Sequence, residues 1–69
     1  MIYRISVNFE TMYTKEKSSK IEYTDDRSAA IRAFSIYIEN PEVVNCYVDR
    51  IPKVNYNRVG KIILAYNPR

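Results

Sequence analysis

The chain predicts an α+β fold: a single two-layer domain over residues 1–69, ordered strand-strand-helix-strand-strand (ββαββ). A four-stranded, mainly antiparallel sheet would carry one helix on one face. Three observations lead there. Two segments near each end alternate apolar and polar residues with period 2. One central segment repeats its apolar residues at helical spacing. No repeat, linker or low-complexity stretch interrupts the order.

Residues 2–10 read as the first strand, with Tyr3, Ile5, Val7 and Phe9 on one face and Arg4, Ser6, Asn8 and Glu10 on the other. The polar run 14–20 then reads as a hairpin loop, with no glycine to set its turn type. A short second strand follows over 20–24, with Ile21 and Tyr23 directed inward.

Asp25 or Asp26 caps the helix, because a short carboxylate accepts from the free N–H groups of the first turn and suits the positive end of the dipole. Ala30, Ala33, Phe34, Tyr37 and Ile38 form its apolar stripe, Ile31 flanks it, and Ile36 points away from it. Asn40-Pro41 ends the helix, with asparagine suited to a left-handed residue and proline unable to continue.

The third strand covers 42–50, with Val44, Cys46 and Val48 buried and Asn45, Tyr47 and Asp49 outward. Pro52 ends it or confines it to an edge. Asn55, Tyr56 and Asn57 form the tip of a second hairpin, and residues 59–67 form the fourth strand. Lys61 sets the phase of that strand, placing Ile62, Leu64 and Tyr66 inward and Lys61, Ile63 and Ala65 outward. The strand order 2-1-3-4 is preferred. The face away from the helix would then hold Arg4, Ser6, Asn8, Glu22, Asn45, Tyr47, Asp49, Lys61 and Ile63, a polar surface of mixed sign.

Composition narrows the chemistry. Chains below ~70–80 residues rarely gain more than ~3–5 kcal/mol from one core, so packing quality or association must compensate where disulfides and metals do not. One cysteine makes no internal disulfide, and with no histidine there is neither a Cys/His zinc site nor the usual general base near neutral pH. Cys46 sits between valines in the alternation and reads as a small apolar core residue. The remaining carboxylates are scattered over different elements, and one glycine builds no phosphate loop. We therefore expect no enzymatic activity and no cofactor or metal. There is no apolar leader and no membrane-length apolar run, which with the lone cysteine places the chain in a reducing cytoplasm. Abundant isoleucine, tyrosine and asparagine point to an AT-rich coding sequence, as in a low-GC bacterium, its phage or a mobile element.

Charge gives the main functional hint. The last twenty residues hold five basic side chains and no acidic one (net +5), whereas the rest holds six basic and eight acidic (net −2). Arg50, Lys53, Arg58 and Lys61 surround Tyr56 and Asn57 on the second hairpin, a ribbon able to meet an acidic protein surface or a phosphate backbone. Ile36 and Tyr47 are the candidate apolar interface residues. The leading expectation is a small non-enzymatic protein-binding module, a regulator or inhibitor of a larger protein, phage- or mobile-element-encoded and acting on a host protein. The alternative is a nucleic-acid-binding accessory protein using the hairpin 50–61. A homodimer through edge strands is a third arrangement.

Overall fold

The computed structural model describes residues 1–52 and 60–68. β1 (Ile2–Glu10), β2 (Lys17–Thr24), α1 (Arg27–Tyr37), β3 (Val43–Ile51) and β4 (Lys61–Tyr66) follow in the expected order. They build one sheet in the order β2-β1-β3-β4, with every neighbouring pair antiparallel. The helix lies on one face, mainly over the two central strands. The tip residues Asn55, Tyr56 and Asn57, together with Lys53 and Arg58, lie outside the described residues.

The core forms where the helix stripe meets the inward side chains of the central strands. Ile5, Val7, Ala30, Val43, Cys46 and Val48 are buried there, and Tyr3, Phe9, Ala33, Phe34, Tyr37, Ile38, Ile63, Leu64 and Tyr66 pack around them. Asp26 caps the helix by accepting from the Ser28 N–H at 2.9 Å. Asn40 ends it without a left-handed backbone, since Lys15 is the one non-glycine residue with positive φ among those described. Instead the Asn40 side chain accepts from the Glu42 N–H at 2.9 Å and its carbonyl accepts from the Val43 N–H at 3.0 Å, so Pro41 sits in a tight turn feeding β3.

Four expectations about strands are corrected. First, β2 begins at Lys17, so half of the run expected as loop is strand. The actual loop occupies residues 11–16. It is closed by Thr11 N–H donating to the Glu16 carbonyl at 2.9 Å, with Lys15 at φ 60° supplying the left-handed step. Second, the phase of β2 is reversed. Its register pairs Ile5 with Glu22 and Arg4 with Tyr23, which puts Glu22 on the helix side. Ile21 and Tyr23 are 56% and 50% exposed on the other side.

Third, a bulge opposite Asn8 and Phe9 admits Val44 as an extra residue, so that Val43 pairs with Phe9 and enters the core while Val44 stays half-buried. Fourth, the β3–β4 register shifts between Val48 and Asp49. Leu64 faces Val48, Ile62 faces Asp49, and Ile63 is the extra residue. Ile63 consequently packs on the core and Ile62 is 57% exposed, the reverse of the expected pair. Lys61 faces Arg50, on the helix side of the sheet.

Candidate functional site

The sheet face away from the helix is the most distinctive surface among the described residues. Antiparallel register arranges it in rows across the strands. Ser19, Asn8 and Asn45 form one row; Ile21, Ser6, Tyr47 and Ala65 the next; Tyr23, Arg4, Asp49 and Ile62 the third. Ile2 and Ile51 follow. This face differs from expectation. Glu22, Lys61 and Ile63 are absent from it, and Ile21, Tyr23 and Ile62 take their place. The result is far more apolar and aromatic than the polar surface of mixed sign that simple alternation predicts.

The charges on this face are matched. Arg4 Nε donates to Asp49 Oδ1 at 3.0 Å, and Arg4 Nη2 donates to Asp49 Oδ2, which makes the pair bidentate. The Gly60 N–H adds a third, longer bond to Asp49 Oδ2 at 3.3 Å. Asp49 is only 5% exposed, and the Asp49 bond together with contributions from Tyr23 holds the Arg4 guanidinium above its ordinary pKa. The row of amides is likewise internally bonded. Ser19 Oγ donates to Asn8 Oδ1 at 2.7 Å, and Asn8 Nδ2 donates to Asn45 Oδ1. Its groove is also lined by Phe9, Glu10, Lys17 and Val44.

Gly60 owes its identity to this region. A Cβ there would collide with the Arg50 carbonyl and with Ile51 Cγ2, so only a glycine lets the chain pass so near β3. Ile51 is 0% exposed although it lies on the face away from the helix, and Gly60 is part of its cover.

A second polar cluster ties the end of the helix to β2. The Tyr37 hydroxyl donates to Glu22 Oε1 at 2.8 Å, and Lys20 Nζ approaches the same oxygen at 3.0 Å. Phe9 meets the Tyr37 ring edge-on, with centroids 6.1 Å apart. The Tyr37 bond, then Lys20, lowers the pKa of Glu22; burial, then Glu22, raises that of Tyr37. Cys46 lies fully inside, and burial pushes its thiol up to about 11, far from the activated thiolate a nucleophile requires. Among the described residues, no three His, Cys, Asp or Glu side chains come together as metal ligands, and no helix is long and apolar enough to cross a membrane.

The candidates read from sequence are dispersed. Tyr47 stands on the open sheet face, half-buried. Ile36 is 70% exposed on the helix, on the opposite side of the sheet from Tyr47, so the two belong to different surfaces. Arg50 and Lys61 are brought together as direct cross-strand neighbours. Lys53, Tyr56, Asn57 and Arg58 lie outside the described residues. Reasoning from alternation missed Ile21, Tyr23 and Ile62, because their phase depends on the parity of a loop and on a bulge. No protein-family model, curated protein or solved structure matches this chain.

Proposed function

We propose that the chain is a non-enzymatic protein-binding module that acts by covering a surface of a larger protein, as a regulator or inhibitor does. The observation that carries this reading is the open sheet face. Ile21, Tyr23, Tyr47, Ala65 and Ile62 surround the Arg4–Asp49 pair, whose opposite charges answer one another. Aromatic and aliphatic side chains around a satisfied charge pair suit a largely uncharged, apolar protein surface better than a phosphate chain. Arg50 and Lys61, side by side on the helix side of the sheet, form a separate basic site that a second, acidic part of the partner would meet.

Capture from a lysate of the source cells tests this with paired variants. Tyr47→Glu with Ile62→Glu should abolish recovery of one dominant protein, while Arg50→Glu with Lys61→Glu should reduce it at low salt and reverse its salt dependence, because salt then screens a repulsion where it had screened an attraction. Recovery unchanged by the Tyr47/Ile62 variant, with circular dichroism confirming its fold, would remove the sheet face from the account.

One observation favours a second reading. Like charges directly opposite one another on neighbouring strands repel, and Arg50 and Lys61 hold that arrangement. An anion between them would relieve the repulsion, as a nucleic-acid phosphate does. This reading requires binding to labelled DNA or RNA that falls steeply with salt. Absence of binding at low salt eliminates it.

A further inference from the structure

We propose that the outer edge of β2 pairs antiparallel with the β2 of a second copy, in the register centred on Ile21, and so joins two four-stranded sheets into one of eight strands. This does not rest on the reading of the sheet face as a partner site.

The two edges of the sheet differ. β4 has only six residues and carries the bulged Ile63, features that discourage strand addition. β2 has eight residues, no proline and an unbroken register with β1. The helix lies mainly over β1 and β3 and meets β2 through the Tyr37–Glu22 bond; β2 pairs with β1 alone, so among the described residues its other backbone edge has no strand beside it. Ile21 is 56% exposed in the middle of the strand. An uncharged, β-branched residue at the centre of such an edge is what a two-fold strand pair places opposite itself.

The charges select the register. Centred on Ile21, the pairing sets Lys20 opposite the partner's Glu22 and Lys17 opposite the partner's Asp25, each contact occurring twice by symmetry. Ser18 meets the partner's Thr24, and Ser19 meets the partner's Tyr23. A centre at Tyr23 pairs only residues 22–24 of the strand with strand, and the other neighbouring registers fail on charge. A centre at Lys20 or at Glu22 sets like charges face to face, and a centre at Ser19 sets Glu16 against the partner's Glu22. Within one chain, Lys20 and Tyr37 both bond Glu22 through Oε1, so Oε2 accepts none of the described bonds. Lys20 and Glu22 remain partly exposed, at 57% and 36%. Across the two-fold they would alternate in sign as a four-membered row on the helix side.

Sedimentation velocity across a concentration series tests the pairing, with circular dichroism to confirm folding. The wild type should show a reversible monomer–dimer equilibrium. Lys20→Glu should weaken it by at least about tenfold, since two attractive contacts become repulsive. Lys20→Glu combined with Glu22→Lys should restore it, because the register exchanges the two positions across the axis. If either variant fails to fold, Lys17→Glu and its rescue by Asp25→Lys give the same readout without touching the Tyr37 bond. A wild type that stays monomeric at every concentration overturns the proposal. So does a dimer indifferent to the single reversals, or one the double variant does not rescue.

Discussion

Asp49 illustrates how much depends on single side chains in so small a core. It is a nearly buried carboxylate on the face that the helix does not cover, and its only described ion-pair partner is Arg4. Desolvating two charges costs several kcal/mol unless geometry and additional bonds offset it, and here the bidentate contact and the Gly60 N–H supply them. Arg4→Ala should therefore destabilise the fold by about 2–4 kcal/mol in urea, somewhat below the fully buried range because the Arg4 side chain keeps 19% exposure. Arg4→Met with Asp49→Leu should recover most of that loss. A loss confined to a few tenths of a kcal/mol would show that the pair is solvated. Cys46 makes a pH prediction. Its folded-state pKa is raised from 9.0 to about 11 by burial, so its contribution is intact below pH 9 and is lost as pH rises through 11. Unfolding measured from pH 8 to 11 should lose roughly 2 kcal/mol more in the wild type than in Cys46→Ala, whose lower starting stability does not titrate there.

At the scale of elements, what was legible in the sequence and what was not have different physical origins. The helix was legible because its stripe, its Asp26 cap and its Asn40-Pro41 stop are local signals that agree. β1 was legible because nine residues alternate without conflict. β2 was placed but not phased. Both of its faces hold side chains able to go either way, so the parity of the connecting loop decides. Six loop residues, with Lys15 left-handed, pair odd positions of β1 with even positions of β2 and send Glu22 inward. Likewise Val43 and Ile63 enter the core through bulges, which insert one residue and leave no mark in a period-2 pattern. Errors of phase moved three apolar residues, and the candidate site moved with them. The loop therefore carries a prediction. Deleting one residue within 12–15 would either reverse the phase of β2 or force a bulge. Amide exchange should show β2 protection collapsing while α1 and the β1–β3 pair persist. Unchanged protection across Lys17–Thr24 would show that the loop does not set the phase.

For the whole molecule, the arrangement is a one-sided sandwich. One side of the sheet is closed by an eleven-residue helix; the other presents Ile21, Tyr23, Tyr47 and Ile62 around a matched charge pair. Below ~80 residues a core this size leaves little stability in reserve, and a single-layer face of that composition is costly to leave in water unless it serves recognition. Ile21 and Ile62 stand outside the core, on the face where the proposed partner would dock. The most direct measurement is equilibrium urea unfolding of Ile21→Ser with Ile62→Ser, at concentrations where the chain is monomeric, beside Ile63→Ser as the core reference. The double variant should stay within about 1 kcal/mol of wild type, as exposed substitutions do, while Ile63→Ser alone should cost about 2 kcal/mol or more. A double variant that loses more than Ile63→Ser would place Ile21 and Ile62 in the core and rule out the open sheet face as a docking surface.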